Sequence, residues 1–185
     1  MALSGQTTAP AVDALLRDGK LAGNWILDAS RSQIRLRSKS MWGLVKVNGV
    51  FGQIEGSGTV SAAGEASGTI TVASASIDTK MKKRDEHLRS ADFFDVANHP
   101  SITFTADQVQ ARPSGQGVTV TGRLKVRGYE RPVSFDAQVS SSDGSEVSLD
   151  GEVQINRADF GLTWNQLGMS SMDVAITVHA VFTRQ

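Results

Sequence analysis

Residues 118–139 read VTVTGRLKVRGYERPVSFDAQV. Val118, Val120, Leu124 and Val126 alternate with Thr119, Thr121, Arg123 and Lys125. Val133, Phe135, Ala137 and Val139 alternate with Ser134, Asp136 and Gln138. A period of two, with one apolar and one polar parity, is the mark of a strand that buries one face and wets the other. The pattern continues outward in both directions. Upstream it recurs at Ile102, Phe104 and Ala106, at Ile70 and Val72, at Val45, Val47 and Phe51, and at Ile34, Leu36, Ser38 and Ser40. Downstream it recurs at Val147, Leu149, Val153 and Ile155, and at Val174, Ile176, Val178 and Phe182. This gives roughly eight strands of an all-β fold. One apolar face per strand implies antiparallel pairing. Repeated meander connections favour an up-and-down β-barrel, although a sandwich requires the same alternation. The apolar parity is assigned to the inside because the opposite parity is mostly Lys, Arg, Thr and Asp. The Gly-rich stretch 52–68 reads as bends and turns.

The bulk of the chain is consistent with this. It has 185 residues, 39% of them hydrophobic, which suits one domain with one sizeable core. Lys plus Arg and Asp plus Glu are both 19, so no global field favours nucleic acid or a membrane surface. There is no cysteine, which excludes disulfides, thiol catalysis and cysteine metal sites. No stretch approaches the roughly 18 apolar residues of a spanning helix, so no stable membrane insertion is expected. The N-terminus lacks a basic start followed by an apolar run, and does not read as a secretory signal. A cytoplasmic location is expected on that ground, and a periplasmic or secreted one if a signal had been removed.

Two segments depart from the period of two. Residues 1–23 form an N-terminal tail with a short helix over 10–18 (PAVDALLRD). Pro10 suits its first turn, Val12, Leu15 and Leu16 share one side, and Gly19 stops it. The barrel domain is then 24–185. Residues 78–99 (DTKMKKRDEHLRSADFFDVANH) show no alternation and read as a helical excursion, about 79–97, across one end of the barrel. Asp78 or Thr79 is placed to cap it, and Asp85 and Arg89 are spaced for a helical ion pair.

That excursion and its flanks carry a resemblance. The run Arg84-Asp85-Glu86-His87-Leu88-Arg89-Ser90-Ala91-Asp92-Phe93-Phe94-Asp95-Val96, followed by Pro100, Ile102 and Phe104, resembles the central signature of the YceI family of lipocalin-like, polyisoprenoid-binding proteins. Val120-Thr121-Gly122-Arg123-Leu124, Gly128, Arg131-Pro132-Val133 and Ile155-Asn156-Arg157-Ala158-Asp159-Phe160-Gly161 are similar to the family as well, as is Asp28 through Phe51. The chain departs from it at Arg31-Ser32, where members often start with His-Ser, and around Ser40, Met41 and Trp42. The resemblance implies an extended lipocalin-like barrel that binds isoprenoid chains or related amphiphiles in its interior.

Candidate residues follow from parity and from that resemblance. The apolar pore candidates are Ile34, Leu36, Trp42, Val47, Phe51, Phe93, Phe94, Phe104, Phe135, Val174 and Ile176. Plain packing is the alternative for the phenylalanines and for Trp25, Trp42 and Trp164. Arg84, His87 and Arg89 are the polar-mouth candidates, set in a basic run with Lys80, Lys82 and Lys83. Such a run is ordinarily a solvated face; a mouth for an anionic headgroup is the functional alternative. The family signature gives His87 and Arg89 a structural job, tying the helix to strand ends. No nucleophile elbow or Ser-His-Asp spacing accompanies His87, so no catalytic residue is assigned. His87, His99 and His179 lack the close spacing of a zinc motif. Asp159-Phe160-Gly161 lacks the other kinase elements, and Gly56 and Gly58 lack the helix and Lys-Ser/Thr of a phosphate loop. No cofactor is called for. The expected function is non-catalytic binding of a long-chain isoprenoid, an isoprenoid quinone or a fatty-acid-like lipid, for carriage, storage or sequestration. A filled-barrel interaction module is the alternative. More remote is an enzyme using His87 and Asp85 on an apolar substrate. A homodimer, through the N-terminal helix or a barrel face, is compatible with either the carrier or the filled-barrel reading.

Overall fold

The computed structural model describes residues 11–113, 117–141 and 143–185. Pro10 and the tail before it lie outside the described residues. The chain begins with helix α1 (Val12–Arg17), whose Val12, Leu15 and Leu16 are buried. It continues through β1 (Gly23–Leu27), β2 (Gln33–Ser40), β3 (Val45–Phe51), β4 (Ile54–Val60), β5 (Ala66–Ala73) and the two-residue β6 (Ile77–Asp78). Helix α2 (Lys82–Arg89) precedes five long strands. These are β7 (Ser101–Ala111), β8 (Gly117–Val126), β9 (Tyr129–Ser140), β10 (Glu146–Asn156) and β11 (Asp173–Arg184).

These segments form a closed, antiparallel, eight-stranded barrel. The first strand is β1 and β2 in tandem. Both lie along β11, with Trp25 opposite Arg184 and Ile34 opposite Val178. The break between them is a tight turn in which the Asp28 carboxylate accepts from Ser30 N–H, Ser30 Oγ and Arg31 Nε. The second strand is β3 and β4, broken at Gly52 and Gln53. The third is β5 and β6, broken by a 3-10 turn over Ser74–Ser76. The last two breaks lie side by side, joined by Gly52 N–H to the Ser76 carbonyl and Ala73 N–H to the Gln53 carbonyl.

Much of the stretch expected as bends, 52–68, is strand. β4 and β5 pair from Ile54 with Val72 to Val60 with Ala66. Glycine hides the pattern here because the two backbones approach closely: a Cβ on Gly68 would lie 2.7 Å from the Ser57 carbonyl oxygen. A second departure is a bulge in β7 between Ala106 and Gln108. It moves the inward parity from Phe104 and Ala106 to Val109 and Ala111, and it turns Asp107 outward onto Arg123.

The excursion is an eight-residue helix and a series of turns. Neither Asp78 nor Thr79 caps it; Met81 holds the N-cap position without a side-chain bond. Nor do Asp85 and Arg89 pair. Asp85 is buried and turns back to accept from the Thr79 N–H (2.9 Å) and Thr79 Oγ1 (2.5 Å). Arg89 donates to the carbonyls of Ala75 (2.8 Å) and Ile77 (2.7 Å). A carboxylate and a guanidinium that each find backbone partners at a buried junction have more to gain there than in a surface pair.

Candidate functional site

The inward side chains enclose a cavity of about 480 Å³ that runs along the barrel. This volume is in the range of small-molecule pockets, roughly 300–1,000 Å³. Its wall is almost wholly apolar. Two packed clusters meet at Phe104, whose ring lies 5.7 Å from that of Phe135. Each ring is seated over a glycine. A Cβ on Gly122 would come within 2.9 Å of Phe104 Cζ, and one on Gly151 within 2.9 Å of Phe135 Cε2. The small residues let two large rings lie against the wall rather than across the lumen.

The two ends differ. At one end α1 is laid over the barrel, and Val12, Leu16, Leu21 and Trp25 form the floor of the cavity. At the other, the wall becomes polar where Ser38, Lys39 and Ser40 of β2, Arg84 and His87 of α2, and Trp164, Ser170 and Ser171 of the β10–β11 connection come together. This is the mouth. His87 Nε2 lies 3.0 Å from Asp92 Oδ2, and the His87 ring stands edge-on to Phe93 and Trp164, at 5.2 and 4.3 Å. Arg84 is fixed by Thr79, donating from Nε to Oγ1 (2.7 Å) and from Nη2 to the carbonyl (2.8 Å).

The most unusual group here is Arg157, 5% exposed and part of the cavity wall. It sits on the 3-10 turn Arg157–Phe160 that ends β10. Nε donates to the Ser171 carbonyl (2.9 Å) and Nη1 to the Leu162 carbonyl (2.5 Å), while Nη2 is buried without an acceptor among the described residues. The guanidinium carbon is 5.4 Å from the Phe93 ring centre. Burial pushes its pKa down from the usual arginine value. Arginine starts so high that it remains a cation. A buried cation facing an apolar lumen favours an acceptor brought by a guest.

Of the residues singled out from sequence, Ile34, Leu36, Val47, Phe51, Phe93, Phe94, Phe104, Phe135, Val174 and Ile176 all border the cavity, with Arg84 and His87 at its mouth. Trp42 does not. It is 69% exposed on the β2–β3 turn, where a left-handed backbone (φ 52°) directs it away from the lumen. Arg89 is likewise outside the mouth, spent on the carbonyls of the 74–78 segment. Asp85 and His87 are not brought together, since each has a separate partner. Sequence reading missed Arg157, Leu162 and Trp164 as lining. Asn156-Arg157-Ala158-Asp159-Phe160-Gly161 was already set apart by the family resemblance, and that was the available signal for Arg157.

The barrel and its signature segments coincide with the match of the YceI-like domain model, which covers residues 25–182. The chain belongs to the YceI-like family. A UPF0312 protein of Pectobacterium atrosepticum is 33% identical over 121 residues, spanning 63% of this chain and 62% of that protein. The protein YceI of Salmonella arizonae is 32% identical over 114 residues, or 59% and 58% of the two chains. The match therefore spans about three-fifths of these relatives' length. Among solved structures, the YceI-like barrel resembles Burkholderia cenocepacia BcnA with a TM-score of 0.76 at 24% identity, covering 84% of this chain and 98% of that one. It also resembles a polyisoprenoid binding domain from Saccharophagus degradans implicated in plant cell wall breakdown, with a TM-score of 0.68 at 19% identity, covering 87% and 98%. At these identities the likeness is one of fold.

Proposed function

We propose that this YceI-like barrel binds one long apolar or amphiphilic molecule, a polyisoprenoid, an isoprenoid quinone or a fatty-acid-like lipid, and carries, stores or sequesters it without chemical change. The observation that supports this best is the lumen itself: a long, mainly apolar cavity floored at one end by α1, with its charged lining residues gathered at its mouth. Each Å² of apolar chain surface taken out of water there contributes roughly 25 cal/mol. The bound chain needs no hydrogen bonds along its length. Its polar end lies at the mouth, where Arg157 Nη2, Arg84 and Lys39 are cationic donors. The reading draws further support from the Saccharophagus degradans domain, which shares the fold and is described as polyisoprenoid binding.

Native mass spectrometry of freshly purified protein, with solvent extraction and mass analysis of what is released, tests this. The expected result is a discrete added mass that extracts as a prenyl or acyl compound. An apoprotein mass that stays unchanged after incubation with prenyl quinones, prenyl phosphates and fatty acids overturns the reading in favour of an interaction module.

A further inference from the structure

The lumen opens beside a surface that is itself apolar. Met41, Trp42, Leu44 and Val45 on the β2–β3 turn and Leu167 on the neighbouring turn Gln166–Gly168 are all exposed, Leu44 at 84% and Leu167 at 79%. The two turns form one unit: Trp42 N–H donates to the Met169 carbonyl (3.1 Å) and Ser171 N–H to the Lys39 carbonyl (2.9 Å). Met41, Trp42 and Leu167 all have left-handed backbone, with φ of 49°, 52° and 54°. This conformation is uncommon for large side chains. Here it presents three of them outward. Ordinary surface leucines occur singly, whereas a contiguous apolar patch marks an interaction site.

The charge around the patch indicates its partner. Lys39 and Lys46 stand directly opposite each other in the β2–β3 ladder, a like-charge pair that costs stability unless something anionic lies over it. Among the described residues neither has a carboxylate within ion-pair distance, whereas Lys80 and Lys82 are matched by Asp78 and Glu86. The molecule as a whole carries no formal net charge, so the excess is local. Tryptophan, leucine and methionine backed by lysine is the composition of a surface that sits in the headgroup region of a bilayer. The lysine stems follow the apolar layer while their ammonium groups reach lipid phosphates.

We infer that the β2–β3 turn and the adjoining 166–169 segment form a rim that docks the mouth of the barrel on an anionic lipid surface. Docked in this way, an apolar chain passes between bilayer and lumen without crossing water. The rim is separate from the lumen, so its test does not depend on what the lumen holds.

Flotation with phosphatidylcholine vesicles, with and without phosphatidylglycerol, tests this on the full chain. The wild type is expected to float with the phosphatidylglycerol vesicles, and its tryptophan emission to shift to the blue through exposed Trp42. Leu44→Glu with Leu167→Glu, at exposed positions, is expected to weaken vesicle binding by about tenfold or more. Lys46→Glu is expected to weaken it by about fivefold. Both variants should keep the wild-type melting curve and the wild-type bound mass in native spectra. Absence of flotation with either vesicle overturns the inference. Flotation equal to wild type in the double variant also overturns it, and so does a wild-type dimer that the double variant converts to monomer, which makes the patch a contact between copies. Loss of lumen binding with flotation intact rejects the proposed cargo and leaves the rim standing.

Discussion

The two ends of the barrel are closed by different physics. At the α1 end, Val12, Leu15, Leu16, Leu21 and Trp25 pack on Val118, Val120 and Ala137, and closure is by non-directional burial. At the mouth, the crossing segments are held by aimed bonds: Asp85 to Thr79, Arg84 to Thr79, and Arg157 to Leu162 and Ser171. An apolar lid offers a guest no orientation. A hydrogen-bonded rim leaves donors facing inward, and so distinguishes one end of an amphiphile from the other.

Substitutions can break this contrast. Leu16→Ala at the closed end is expected to cost about 2–5 kcal/mol, read from the denaturant midpoint; a midpoint that does not move means α1 is not a lid. Asp85→Ala at the other end strands the Thr79 N–H and hydroxyl and is expected to cost about 1.5–3 kcal/mol. Its signature should be early loss of hydrogen-exchange protection in residues 79–99, with the strands unaffected; uniform loss rejects a locally bonded mouth. Arg157→Lys keeps the charge but loses the fork of donors. It is expected to weaken retention of an anionic amphiphile such as a fatty acid by about tenfold, with a neutral hydrocarbon chain little affected. Equal losses for both ligands would remove the polarity assigned to the mouth. The smallest effect belongs to neither end. Ser30 and Arg31 hold the Asp28 carboxyl well below the usual range, to about 2. A depressed carboxylate stabilises the fold above its unfolded pKa and loses that contribution as pH falls through the folded value. Asp28→Asn should thus narrow the stability gap between neutral pH and pH near 2, measured by thermal melts; an unchanged gap removes this turn from the acid response.

The contrast also separates what was legible in the sequence. Alternation along residues 33–51, 101–106 and 118–139 marked strands and their inner faces, because each strand has one wet and one dry side. It failed where backbone rather than side chains decides. Gly56, Gly58 and Gly68 carry no hydropathy signal although they sit in a ladder, and the bulge at Asp107 shifts parity without any residue announcing it. At the site, lumen phenylalanines follow from parity, but Trp42 does not, since a turn sets its direction. Arg157 is marked in the sequence only as part of the family-like run Ile155–Gly161; its burial follows from the return of residues 162–171 over the turn that carries it, a tertiary fact with no local pattern.

One feature of the seam reaches beyond the folded state. The first strand segments, β1 and β2, have the last one, β11, as a neighbour, Trp25 standing opposite Arg184. Arg184 also donates to the carbonyls of Lys20, Ala22 and Gly144. During synthesis the emerging chain holds an unpaired strand edge until β11 has left the ribosome. Closure is then a contact between the first and last strands of the barrel, a non-local pairing that slows folding and exposes the open sheet to edge-to-edge association in the interval. Loss of β11 therefore leaves a sticky half-finished product rather than a smaller barrel.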